Sequence, residues 1–173
     1  MVNKAKDSQF IREEYIHFPD EFDSVLMATA SADGEPDASY AVYLFRDDAY
    51  YVYVSELATH TVNLMATARV SLMFIEDESK AQNLFARQRM TLECAASEIG
   101  RGTDMFEAVL DTFEQRYGNF IQMLRTLSDF HLFRFKPESG TYVRGFGQAY
   151  RLEGKGLRQI THIRGKENPG SGQ

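Results

Sequence analysis

The sequence has little of several features that would assign a function class directly. It contains one cysteine in 173 residues, and its formal net charge is -6. A lone cysteine cannot form an internal disulfide, and Cys94 lies in an apolar run, which predicts a buried and unreactive thiol. A negatively charged chain whose acids and bases are mixed along its length would repel a phosphate backbone. The composition therefore argues against a disulfide scaffold and against nucleic acid as a partner.

Long apolar segments are also missing. No run approaches the ~20 residues that span a bilayer, and residues 1–14 lack the apolar core of a signal peptide. We therefore expect a cytoplasmic protein without a membrane segment. The HExxH motif, zinc-ligand spacings, a nucleophile elbow and a phosphate loop are absent as well. The segment GFGQAY (residues 145–150) is expected inside a strand with no helix after it, so it does not meet the dinucleotide-binding fingerprint.

What the chain does contain is enough apolar sequence for one core. It is 43% hydrophobic, which at this length predicts a single domain over residues 1–173. Apolar residues at near-helical spacing predict an amphipathic helix over about residues 7–22. The end of the chain, from about residue 164 to 173, is polar and glycine-rich, so we expect a flexible tail there.

The middle of the chain is rich in strand-forming residues. It predicts a mainly β, α+β protein, an antiparallel barrel with helical caps after the third and fifth strands. The last two strands are expected to form a hairpin. Exposed barrel edges are commonly hidden by pairing, which predicts a homodimer with a ligand site between subunits. The seven expected strands cover residues 24–31, 38–45, 50–55, 69–76, 85–99, 129–137 and 140–153.

Three stretches carry a resemblance to a known family: MATASADGEPDASYAVYLF, IEDESKAQNLFARQRMT and GFGQAY. They resemble the haem-utilisation proteins of the HutZ/HugZ type, in the pyridoxamine 5'-phosphate oxidase-like, FMN-binding split-barrel superfamily. The resemblance implies a homodimeric split barrel whose subunit interface holds FMN in the flavin-using branches and haem in the haem branch. It also implies that haem-branch members open the porphyrin with dioxygen and electrons, which frees iron.

Three functions therefore stay open at this point. The first is haem binding and oxygen-dependent haem degradation for iron utilisation, with an unknown electron donor. The second is an FMN-dependent oxidoreductase, and the third is a haem carrier or store without catalysis. Haem is the expected cofactor, and FMN is the alternative.

The haem reading assigns two residues through the resemblance. In the haem branch an axial histidine comes from a tail stretch like Gly-His-Arg-Lys, which here reads Arg-Gly-Lys-Glu at residues 164–167. His162 is the tail candidate for the haem iron. The DF-x-LFR segment implies that Asp129 accepts a hydrogen bond from that histidine and orients it. Asp129 and His131 are expected on one face of a strand because side chains alternate with period two.

The flavin reading assigns the passage from the third strand to the next helix. In the flavin branches this passage contacts FMN, so the resemblance implies cofactor contacts from Ser55, Thr59, His60 and Asn63. The alternative is a capping segment in which Thr59 or Thr61 begins the helix as its N-cap.

Cations for a phosphate or propionate come from a third segment. Arg87 and Arg89 are two residues apart and are expected to project the same way from a strand. Their alternative is a solvated strand face. Arg144 is a second choice for the same role.

Overall fold

The computed structural model describes residues 2–164, with side chains from residue 8 onward. Its strands form one antiparallel sheet in the order β2-β1-β5-β6-β7-β4-β3, and β8 and β9 extend it from β7. The helices are α1 (Val2–His17), α2 (Thr59–Thr67), α3 (Asp104–Tyr117) and α4 (Phe120–Arg125). The strands are β1 (Ser24–Ala30), β2 (Pro36–Val42), β3 (Leu44–Arg46), β4 (Ala49–Ser55), β5 (Arg69–Ile75), β6 (Arg89–Ile99), β7 (Phe130–Gly145), β8 (Gln148–Glu153) and β9 (Gln159–Ile163).

Strand β7 divides the sheet into two parts. Its first half, Phe130 to Phe135, pairs with β4, its second half pairs with β8, and β6 runs along both halves. The sheet therefore separates on one side of β7 and stays continuous on the other, which gives a split barrel.

The expected hairpin between residues 129–137 and 140–153 is wrong, because the chain does not turn between them. A register shift in the β6·β7 pairing lets Pro137 and Ser139 both stay opposite β6, so the extra residue is absorbed as a bulge. Gly140 is required by packing, since a Cβ there would lie 2.8 Å from a Leu92 methyl carbon. The turn instead falls at Gly147, where φ is +70°. GFGQAY is therefore a hairpin and not a strand interior.

Strand β4 is buried on both faces. One face, with Tyr50, Val52 and Val54, belongs to the barrel core. The other face, with Tyr51 and Tyr53, packs under α3 and α4. The helical cap expected after the fifth strand (residues 85–99) is confirmed by α3, whose buried residues are Phe106, Val109, Leu110 and Phe113.

The two ends of the chain differ from expectation. Helix α1 begins before residue 7 and ends at His17, because Pro19 follows in a 3₁₀ turn over Phe18–Glu21. The segment after residue 158 forms β9, which was not expected as a strand and pairs with β8. The expected flexible tail lies outside the described residues from 165 onward. Within the described part, no helix combines the length and apolar character needed to cross a membrane.

Candidate functional site

The junction between β4 and α2 is tied to the start of β7. The Ser55 hydroxyl donates to Oδ2 of Asp129 across 2.7 Å, and it accepts from the Leu57 amide across 3.2 Å. The Glu56 amide donates to the Asp129 carbonyl across 2.8 Å. Asp129 precedes β7 and does not lie within it. Of the residues predicted for a site, the structure thus brings Ser55 and Asp129 together.

His131 stands beside this junction between two carboxylates. Its Nδ1 lies 2.7 Å from Oε1 of Glu98, and its Nε2 lies 2.6 Å from Oε1 of Glu56. Burial acts to lower the pKa of His131, but the hydrogen bonds and charges of Glu98 and Glu56 outweigh it and raise that pKa. A charged imidazole is the form that these contacts favour.

The expected cofactor residues on α2 differ in how far they are exposed. Thr59 is exposed and His60 is partly buried. Burial lowers the pKa of His60, opposed by the charge of Asp37. Asn63 is buried, and its amide donates to the Thr29 hydroxyl across 3.1 Å. Asn63 therefore points into the barrel rather than toward a surface ligand.

The N-cap expectation for α2 is wrong. Ala58 occupies that position and makes no side-chain cap hydrogen bond. Thr61 lies within the helix and is fully buried. The Ser55 hydroxyl accepts the Leu57 amide in the turn before the helix, so it stabilises that turn and does not cap α2.

Arg87 precedes β6 and Arg89 begins it, so the two arginines do not lie within one strand as expected. Arg87 precedes the strand, and its Nε donates to the Glu76 carbonyl across 2.9 Å while its Nη1 contacts Glu78 at 3.1 Å. Arg87 therefore closes the loop before β6. Arg89 begins β6, on the same face as Thr91 two residues later. Thr91 lines a polar groove of about 250 Å³ on β6, β7 and β8.

His162 and Arg144 lie at the far end of the sheet. His162 is on β9 opposite Tyr150, with ring centroids 5.2 Å apart, and its Nε2 lies 3.0 Å from the Gly147 carbonyl. Because a carbonyl only accepts, this contact leaves Nδ1 of His162 with the lone pair. Arg144 is paired with Glu14 at 2.7 Å.

Comparison with known proteins identifies the family. The family model described as pyridoxamine 5'-phosphate oxidase matches residues 11–144. The chain belongs to the pyridoxamine 5'-phosphate oxidase family. Its sequence is 39% identical over 153 residues to the heme oxygenase HutZ of Vibrio cholerae, which covers 88% of this chain and 87% of the relative.

Two solved structures of this family are similar to the chain. The Vibrio cholerae HutZ structure, described as a heme storage protein, is 38% identical with a TM-score of 0.69 and covers 73% of this chain and 89% of that one. The Campylobacter jejuni ChuZ structure is 34% identical with a TM-score of 0.81, and the match covers 95% of this chain and 67% of that one. The expected family, HutZ type and fold class are confirmed.

Within one chain of this family member, the residues expected to hold haem do not converge. Asp129 precedes β7, whereas His162 lies beside Tyr150, which pairs with Tyr142 in the second half of β7. Asp129 and Tyr142 are 13 positions apart in the sequence, from 129 to 142, which is roughly 40 Å of extended chain at ~3.3 Å per residue. In a single chain, Asp129 and His162 therefore lie toward opposite ends of β7.

The cation and the histidine also project to different sides of the sheet. Met90 pairs with Tyr142, Tyr142 with Tyr150 and Tyr150 with His162, so these four residues form one row across the sheet. Arg89 pairs with Val143 in the next row. Directly paired residues share a face and successive residues alternate. Two half-sites result: the junction half-site (Ser55, His60, Asp129, His131) and the strand-end half-site (Arg144, His162), while Arg89 lies on the opposite face of the sheet from His162.

Several residues of these half-sites were not anticipated. Glu56 and Glu98 contact His131 from distant parts of the chain. Arg101 donates to the carbonyls of Leu127 and Phe130 across 2.7 and 3.1 Å, which fixes the approach to Asp129. Their roles depend on strand register, and no local spacing in the sequence signals it.

Proposed function

We propose that this protein binds haem between two copies of the chain and degrades it with dioxygen, as part of iron utilisation. The similarity to the heme oxygenase HutZ across most of both chains carries this proposal. When bound, haem supplies the iron that activates dioxygen and the ring that is cleaved. The protein's residues ligate, orient and shield it. The proposal includes the cytoplasmic location that the sequence predicts, which cell fractionation tests.

An exposed apolar surface supports the dimer. On the outward face of β1 and β2, Leu26 lies opposite Tyr40 and, on the other side, opposite Met73 of β5. Tyr40 is 68% exposed and Leu26 42% exposed. Adjacent large apolar side chains on an open sheet face are characteristic of a subunit interface, and most such dimers are symmetric.

The separation of the half-sites supports a shared ligand. In a symmetric dimer, the junction half-site of one subunit can face the strand-end half-site of the other, which gives two sites per dimer. His162 would then offer one ring nitrogen to the iron. Asp129 of the partner subunit would accept from the other nitrogen in place of the Gly147 carbonyl. Arg144, which contacts Glu14 and Gln148, is the arginine of the strand-end half-site that would meet a propionate.

The visible spectrum of the purified protein tests the proposal. We expect a Soret band on addition of haem and a weaker or shifted band in His162→Ala. His17→Ala is the matched control, because His17 is an exposed histidine whose one ion pair among the described residues is with Asp20 at 3.1 Å. An unchanged Soret band in His162→Ala would remove His162 from the ligand role. A wild-type protein without any haem-dependent band would overturn the proposal.

Mixing two variants tests whether the site is shared. Asp129→Ala and His162→Ala each damage one half-site, so each homodimer alone should bind haem poorly. After unfolding and refolding together, about half of the dimers are mixed, and each mixed dimer regains one intact site, so about a quarter of the sites return. Binding that stays at the level of the separate variants would contradict a shared site.

An FMN-dependent oxidoreductase is the second candidate. The family model and the exposed β4–α2 passage, with Ser55 and Thr59, favour it. A yellow protein that releases a fluorescent flavin on denaturation would support this candidate. A colourless protein that ignores added FMN would count against it.

A haem carrier or store is the third candidate, because the HutZ crystal structure is described as a heme storage protein. Ascorbate and air added to the haem complex separate storage from degradation. Loss of the Soret band with release of iron is expected for degradation, and a persistent band is expected for storage.

A further inference from the structure

His131 is held by two glutamates that come from different parts of the fold. Glu98 lies on β6, and Glu56 lies in the turn between β4 and α2. Both contacts are short, at 2.7 Å to Nδ1 and 2.6 Å to Nε2. Both ring nitrogens carry hydrogens only in the charged imidazole, and an ionised carboxylate can only accept. The geometry therefore fits a positive ring between two negative groups.

The turn that carries Glu56 has few other attachments among the described residues. Its amides donate to the Asp129 carbonyl, to the Ser55 hydroxyl and to the Ser55 carbonyl. Within the turn, the Leu57 side chain is 93% exposed, so it contributes no apolar packing that would hold the turn in place. When the charged His131 ring loses a proton, one of its two nitrogens presents a lone pair to a carboxylate, and that contact becomes repulsive. The link to Glu56 or to Glu98 is then lost.

Two further charged residues near His131, Asp129 and Arg101, are held by other partners. Asp129 lies two residues before His131, and its carboxylate accepts from Ser55. Arg101, between β6 and α3, is committed to backbone carbonyls that include that of Phe130. The direct partners of the ring are the two glutamates, and both are about half exposed, at 54% and 47% of their side chains. Salt should therefore weaken the effect.

We propose that His131 is a positioning residue that closes the β4–α2 turn in its charged form and releases the turn when it becomes neutral. The turn follows Ser55 and contacts Asp129, so a ligand at the junction half-site should bind more weakly as the pH rises. This consequence for the ligand rests on the proposed function. The opening of the turn does not.

Amide hydrogen exchange without ligand tests the opening. Protection of the amides of residues 56–58, corrected for the intrinsic pH dependence of exchange, should fall about twofold to fivefold as His131 loses its proton, as expected for partly exposed ion pairs. The fall should shrink in 1 M salt and vanish in His131→Gln. In ring titrations by NMR, the midpoint of His131 should lie above the ordinary histidine value near 6.5, and Glu98→Gln should lower it.

The results discriminate sharply. A His131 midpoint at or below the ordinary histidine value, or protection that does not change with pH in the wild type, would overturn the proposal. If His131→Gln fails to fold, Glu98→Gln carries the same test, because it removes one charge and keeps a hydrogen-bond acceptor. Intact haem binding with pH-independent exchange overturns only the role of His131. Absent haem binding with pH-dependent exchange overturns only the proposed function.

Discussion

The amide of Asn63 donates to the hydroxyl of Thr29 across 3.1 Å, and both side chains are buried. The Thr29 hydroxyl in turn lies 3.5 Å from Oδ2 of Asp37. This chain of polar contacts attaches α2 to the first two strands of the barrel. It also explains why Asn63, expected at a cofactor, does not reach the surface.

Removing this link should destabilise the fold. Asn63→Ala leaves the Thr29 hydroxyl without its donor inside the barrel, so we expect the free energy of unfolding to fall by about 1–3 kcal/mol. Urea denaturation followed by circular dichroism measures the change. Thr59→Ala, at an exposed position of the same helix, should change it by less than about 0.5 kcal/mol. Similar losses in both variants would contradict the structural role of Asn63.

Arg101 should be sensitive even to lysine. Its guanidinium donates to the carbonyls of Arg125, Leu127 and Phe130 at 2.7 to 3.1 Å, and one ammonium cannot reproduce this spread of donors. We expect Arg101→Lys to lower the free energy of unfolding by about 1–2 kcal/mol. Arg46→Lys is the control, because among the described residues the Arg46 side chain forms an ion pair only with its neighbour Asp47. A neutral Arg101→Lys would show that these contacts add little.

Cys94 should be chemically silent in the folded protein. It is fully buried, and burial raises the pKa of its thiol to about 12. The reactive thiolate is therefore scarce near neutral pH and inaccessible. A colourimetric disulfide reagent should label the protein only in denaturant. Rapid labelling under native conditions would contradict the buried position.

Stability should depend on pH through His131. Its pKa in the folded protein is raised, so the charged ring stabilises the fold fully below its ordinary pKa near 6.5, and this contribution is lost as the pH rises through the raised value. Because the glutamates are partly exposed, the effect should be under about 1 kcal/mol. Urea midpoints of the wild type and His131→Gln should differ more at about pH 6 than at about pH 9. A difference that grows with pH would contradict the assigned sign.

Periodic patterns in the sequence predicted the elements whose structure depends on local chemistry. The i, i+3, i+4 spacing from Phe106 is typical of a helix and matches α3, and the expected strands at residues 24–31 and 38–45 correspond to β1 and β2. The hairpin expected between residues 129–137 and 140–153 does not form, because Pro137 and Gly140 both stay paired with β6. The side-chain partners of His131 and Arg101 depend on the same long-range register, which explains why the sequence did not reveal them.

The candidate site was predicted only in part for a related reason. Ser55 and Asp129 were each identified, yet their hydrogen bond depends on β4 pairing with β7. Arg87 and Arg89 were paired by a strand that in fact begins after Arg87.

Strand β7 is shared by both parts of the split sheet, since β4 adjoins its first half and β8 its second. Because both parts depend on β7, neither part should unfold separately. Thermal unfolding should therefore be a single transition. Cutting the chain near Glu138 should therefore leave two fragments that fold only when they recombine.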